Sequence, residues 1–206
     1  MSVAKDERAR LCDLLAEVGP DQPTLCAGWT TRDLAAHLVV RERRMDAAPG
    51  ILVKPLAPYL DRVQAKVAAK PWNELLRLIR TGPPVYSPHY LLDDLVNTPE
   101  FFIHHEDVRR AQPQWSPRPA DPRRDRALWT AVRRAGRLMF RNSPVGVALR
   151  TPDGREVAVK RGPNTVTVLG EPGELLLFAF GRDQAEVGFE GEQAAIGALR
   201  GLARGL

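Results

Sequence analysis

The feature that most restricts the fold is a change of texture at Pro144. Before it, apolar residues recur at helical spacing; after it come short runs of strand type separated by turn signals. Helices first and strands afterwards, without alternation, point to a mainly α chain with a small α+β part rather than an alternating α/β sheet. The expected division is a helical bundle over residues 1–142 and a small α+β domain over 143–206. A length of 206 residues is enough for this organisation.

Within the first part, Leu11, Leu14, Leu15 and Val18 predict a helix over 5–18, ended by Gly19-Pro20. A loop from Asp21 to Gly28 leads to a second helix beginning near Trp29. Thr30 or Thr31 can cap it, and Asp33 lies in its first turn, where a negative charge suits the helix dipole. Residues 56–69 read as helical. Pro71 suits a helix start, with Trp72, Leu75, Leu76 and Ile79 following at a period near 3.6. Residues 82–88 are irregular and rich in proline, and His89 to Val96 reads as a short helix. Another helix starts around Asn97-Thr98-Pro99-Glu100 and runs to about Arg110. After the proline-containing connector 111–122, a helix over 123–141 places Leu128, Trp129, Val132, Leu138 and Met139 on its apolar side.

The last part opens with a strand over 145–150. The turn Thr151-Pro152-Asp153-Gly154 and the run Val157-Ala158-Val159 complete a hairpin, and residues 165–168 give a third strand. The apolar run from Gly173 to Phe180 fits helix or strand equally by periodicity. Residues 186–189 read as a fourth strand and 192–202 as a final helix.

The net charge is +5, but the arginine clusters at 41–44, 109–110, 123–126 and 133–137 are interleaved with acids or apolar residues. They read as solvated helix faces, and no basic stripe with aromatics or RNA-binding signature accompanies them, so no specific nucleic-acid partner is expected. No run of about 18 apolar residues occurs, so no membrane span is expected. The first residues lack the apolar core of a signal peptide, which makes the cytoplasm the expected location. Cys12 and Cys26 fit neither a disulfide framework nor a zinc knuckle and read as small buried hydrophobes, with Cys26 close to the motif described next.

The chain has four histidines: His37, His89, His104 and His105. Glu100 and His104 are four residues apart, so on a helix their side chains share a face. His37 sits in the apolar stretch Leu34-Ala35-Ala36-His37-Leu38-Val39, where a polar ring needs a partner. Each feature has an ordinary reading, a surface ion pair for the first and a satisfied core histidine for the second. If the two helices face each other, two imidazoles and a carboxylate can hold one divalent metal, with Zn²⁺ the first choice and Ni²⁺, Fe²⁺ or Mn²⁺ compatible. Asp107 is placed to orient a ligand ring. Glu106 and Asp107 otherwise read as surface charges, His105 as a non-ligand and His89 as a reserve ligand.

Trp29-x3-Asp33-x3-His37-Leu38 resembles the first metal motif of the DinB-like and mycothiol-dependent maleylpyruvate isomerase-like family. Glu100-x3-His104-x2-Asp107-Val108 resembles the second. The resemblance implies a DinB-like four-helix bundle with His37, Glu100 and His104 as metal ligands, and Trp29 and Asp33 in structural positions around the first. The segment from Pro172 and the final helix look like the small sterol-carrier-like α+β domain that follows the bundle in isomerase-like members. The preference for arginine, alanine, proline and glycine suggests a GC-rich genome such as an actinobacterium's.

The resemblance further implies use of a low-molecular-weight thiol, mycothiol, by a metal-assisted isomerase or thiol transferase acting on a small electrophilic substrate. The same ligand set would also serve a metal-dependent hydrolase or a non-catalytic metal or small-ligand binding module. A monomer or homodimer is expected. Pro99 puts the start of the ligand-bearing helix, or a kink in it, immediately before Glu100. The irregular residues 82–88 are expected to form part of a pocket wall or lid.

Overall fold

The computed structural model describes residues 2–51, 53–84 and 96–204. Two compact units are present, Met1–Ser116 and Pro117–Leu206. His89, the short helix expected there and most of the expected pocket wall lie outside the described residues.

The first unit is helical. Helix α1 spans Val3–Val18, α2 Thr31–Arg43, α3 Ala57–Ala68, α4 Trp72–Thr81 and α5 Thr98–Arg109, with two short 3₁₀ turns at Ala48–Ile51 and Lys54–Leu56. Helix α1 packs against α4 and α5, and α2 against α3 and α4. Their shared core contains Leu11, Leu15, Leu34, Leu38, Leu75, Ile79, Phe101 and Val108.

Two helix starts position the later site. At α2, Thr30 is the N-cap: its hydroxyl accepts from the Asp33 backbone N–H, and the Asp33 carboxylate accepts from the Thr30 N–H at 2.9 Å. This reciprocal box satisfies two amide donors and fixes the first turn of the helix that carries His37. At α5, Pro99 falls in the first turn, where its missing N–H costs nothing. Proline therefore starts this helix and does not kink it, so Glu100 and His104 lie on consecutive turns. Asn97 precedes α5 without capping it by its side chain, which is engaged elsewhere.

The second unit contains α6 (Pro122–Met139), strands β1 (Val147–Arg150), β2 (Glu156–Lys160) and β3 (Val166–Leu169), α7 (Pro172–Ala179), β4 (Gly188–Glu190) and α8 (Gln193–Arg200). Asp121 caps α6 by accepting from the Arg123 and Arg124 amides. The sheet order is β2-β1-β3-β4; β1 is antiparallel to β2 and parallel to β3, and β4 returns antiparallel to β3. The ambiguous run 173–180 is helical. Every residue of α7 is buried, which explains why it carries no readable polar face. It packs against α6. On α6, Leu128, Trp129, Val132 and Met139 are buried as expected, but Leu138 is 48% exposed and belongs to the outer face.

The reading of the arginine clusters as solvated faces needs correction at two places. Arg41 and Arg110 are buried, as is Arg8 of α1. Each has an acidic partner: Arg8 bonds Glu42 through two nitrogens at 2.6 Å, Arg110 bonds Glu106 at 2.6 Å, and Arg41 faces Glu100. Glu106 and Asp107, read as surface charges, are also fully buried. Buried charges survive only when paired and hydrogen-bonded, and the partners lie on other helices or a helical turn away, where composition does not reveal them.

Candidate metal centre

Helices α2 and α5 bring His37, Glu100 and His104 together. His37 Nε2 is 3.4 Å from Glu100 Oε1, and His104 Nε2 is 3.3 Å from the same oxygen. All three donor atoms lie within 4.8 Å of one another, and the two imidazole rings meet edge to face at 5.5 Å. A tetrahedral ion with metal–donor bonds of about 2.0–2.1 Å holds its donors about 3.3–3.4 Å apart. The spacing and the nitrogen and oxygen donors therefore fit a divalent transition metal such as Zn²⁺.

The surroundings orient these donors. His104 Nδ1 is 2.9 Å from Asp107 Oδ2, and Asp107 is fully buried. A carboxylate only accepts, so Nδ1 donates to Asp107, which leaves Nε2, 3.3 Å from Glu100 Oε1, as the nitrogen whose lone pair a metal would take in place of a proton. Cys26 donates its thiol hydrogen to the same Asp107 oxygen at 3.2 Å. The loop carrying Cys26 is tied to α5 through the Leu25 N–H and the Asp107 carbonyl, and to itself through Trp29 N–H and Cys26 carbonyl. Trp29 stacks obliquely on His37 with centroids 5.1 Å apart, limiting how that ring can turn. Trp29 and Asp33 thus occupy supporting positions, one against the ring and one at the helix cap.

Electrostatics favour positive charge at the meeting point. Burial opposes ionisation of Glu100, but Arg41, His104 and His37 outweigh it and hold the carboxyl well below its usual range. Burial likewise opposes charge on His104, yet Asp107, Cys26 and Glu100 raise it well above the usual histidine value. An ionised carboxylate beside an imidazole that readily takes up positive charge gives the pocket the charge complement a cation requires, and a metal competes with the His104 proton for the same lone pair.

His105 faces the other way. Its Nδ1 is 3.1 Å from Glu7 Oε2, both groups are buried, and it takes no part in the cluster. Cys12 is buried in the core, as expected; burial pushes its thiol up from 9.0 to about 11. Cys26 is half-buried and forms a second grouping with His104 and Asp107. Arg41 and Asn97 were not anticipated among the site residues. Arg41 Nε lies 3.2 Å from Glu100 Oε1, and its Nη1 donates to Asn97 Oδ1. One sequence signal was available for Arg41: it stands four residues after His37 and so on the same helix face.

No curated protein sequence matches this chain. A solved structure, the crystal structure of the mycothiol-dependent maleylpyruvate isomerase, is similar with a TM-score of 0.62 at 14% identity, covering 92% of this chain and 91% of that one. At that identity the similarity concerns the fold, and it bears out the expected DinB-like helical bundle followed by a small α+β part. Residues 3–142 match the family model described as the mycothiol maleylpyruvate isomerase N-terminal domain, well over half of the chain. The chain belongs to the mycothiol maleylpyruvate isomerase N-terminal domain family.

Proposed function

We propose that this chain is a divalent-metal-dependent enzyme that uses a low-molecular-weight thiol, mycothiol, to isomerise a small electrophilic substrate or transfer the thiol to it. The observation that carries the reading is the convergence of His37 Nε2, Glu100 Oε1 and His104 Nε2 at ion-binding spacing. Family membership and the shared fold with a mycothiol-dependent maleylpyruvate isomerase support the thiol. Zn²⁺ suits two imidazoles and a carboxylate best, with Ni²⁺, Fe²⁺ or Mn²⁺ as alternatives.

When bound there, a divalent cation supplies the positive charge that lowers the pKa of a thiol and favours its nucleophilic thiolate. Three protein donors would leave a position for that sulfur. His37, Glu100 and His104 hold the ion, Asp107 fixes the His104 tautomer, and Arg41 keeps Glu100 ionised. The hydrolytic alternative needs a carboxylate able to take a proton from water. Glu106 is committed to Arg109 and Arg110, and Asp107 to His104 and Cys26, which disfavours that alternative. Among the described residues, no helix is long and apolar enough to cross a membrane.

The test is a thiol titration of the Co²⁺-loaded protein followed by visible absorption. A new sulfur-to-cobalt band that saturates with mycothiol is the expected result. An unchanged spectrum with every physiological thiol rejects the thiol-dependent reading while leaving metal binding intact.

A further inference from the structure

A chain of buried polar groups leads from α1 to the centre. Arg8 is bonded to Glu42 through both terminal nitrogens and to the Ile79 carbonyl at 3.0 Å. Asn97 bridges the next step: its Nδ2 donates to Glu42 Oε1 at 3.1 Å, and its Oδ1 accepts from Arg41. Arg41 Nη2 reaches the Val96 carbonyl at 3.4 Å, and Nε reaches Glu100 Oε1. The charge of Glu42 is therefore matched by Arg8. Asn97 presents a neutral amide to Arg41, so among the described residues the carboxylate ion-paired with Arg41 is Glu100.

This arrangement sets the charge of the centre. Among the described residues, a divalent cation, the two carboxylates of Glu100 and Asp107, and the guanidinium of Arg41 leave one net positive charge when both imidazoles are neutral. A singly charged anion at the remaining position cancels it. A neutral ligand leaves the charge uncompensated in a largely buried site, which is costly. Without Arg41 the balance reverses: the centre is already neutral, and an anion would bring in a buried negative charge.

We propose that Arg41 acts as a specificity-determining residue, biasing the exogenous-ligand position of the centre toward a monoanion, a thiolate among them, and against neutral donors. The inference rests on the metal-binding reading and deepens it. Arg41 acts through its charge and its hold on Glu100; it is not itself a ligand.

The experiment titrates the Co²⁺-loaded protein with azide, a monoanion, and separately with imidazole at about pH 8.5, where imidazole is neutral. Visible spectra report binding. The parent should bind azide at least about tenfold more tightly than imidazole, and Arg41→Met should weaken azide about tenfold or more while moving imidazole less than about twofold. Arg41→Lys, which keeps the charge, should recover most of the azide affinity. A merely structural role would shift both probes in parallel; that outcome, or azide binding unaffected by Arg41→Met, overturns the proposal. The parent's own preference is a second criterion that needs no variant, and tighter binding of imidazole than azide also overturns it. Failure of the parent to take up Co²⁺ is visible before any ligand is added and removes the metal reading together with this inference.

Discussion

His104 Nδ1 and Asp107 Oδ2 are 2.9 Å apart, on consecutive turns of one helix and facing away from the point where His104 Nε2 meets Glu100. This bond occupies Nδ1 and leaves Nε2 as the nitrogen a metal would take. Asp107→Asn retains the shape but loses the charge and the obligatory acceptor, so the ring is no longer held in one tautomer. Metal affinity measured by chelator competition should fall about 10–100-fold, the usual effect of removing such a partner. Unchanged affinity would mean that Asp107 has only a packing role.

The Arg8–Glu42 pair should be costly to break and cheap to replace. Both groups are buried, and the bond is doubly made. Arg8→Met leaves a buried carboxylate without its cation and should lower the free energy of unfolding by about 3–5 kcal/mol. The double variant Arg8→Met/Glu42→Leu should recover most of that loss. Denaturant unfolding of the three proteins decides the matter, and a loss in the double variant as large as in the single one would contradict it.

Two glycines in the second unit should respond in opposite ways to alanine. A Cβ on Gly136 of α6 would meet Val159 Cγ1 at 2.6 Å, whereas one on Gly197 of α8 meets nothing within 4 Å. Gly136→Ala should destabilise by about 1–3 kcal/mol through overpacking, despite its better helix propensity. Gly197→Ala should stabilise by about 0.5–1 kcal/mol. Thermal melts of both variants give the signs, and a stabilising Gly136→Ala would show that the contact yields easily.

Cys12 predicts a pH dependence. Burial raises its thiol from 9.0 to about 11 in the folded chain. A group with a raised folded value binds its proton more tightly in the native state, so its contribution is complete below pH 9.0 and disappears as pH rises through about 11. The stability difference between the parent and Cys12→Ala should be constant up to about pH 8 and then shrink by about 2–3 kcal/mol by about pH 11. A difference independent of pH over that window would show that the thiol is not desolvated.

The parts of this molecule that could be read in the sequence are those written in local patterns. Thr30 and Asp33 announce the start of α2 because a capping box spans only four residues. Asp153-Gly154 announces the β1–β2 turn because Gly154 takes a positive φ of 87°. His37 stood out because a polar ring in an apolar helical stretch is costly without a partner, and Glu100 with His104 because their spacing of four puts both on one helix face. Arg8, Arg41, Glu42 and Glu106 were not legible: a charged residue beside other charges looks the same whether it faces water or a partner from another helix. The helical state of α7 was hidden for the converse reason, since a segment buried on all sides has no polar face to set its period. Leu138 shows the limit of apolar spacing, for it stands directly before the buried Met139 and Phe140 and is itself exposed.

The most direct test of the central claim is the metal content of the purified protein, measured by elemental analysis on the parent and on His37→Ala, His104→Ala and His105→Ala. The donor geometry predicts about one divalent ion per chain in the parent and in His105→Ala, and a large loss in both of the other variants. Metal retained equally in His37→Ala and His104→Ala would contradict the account, because the ion would then be held somewhere else.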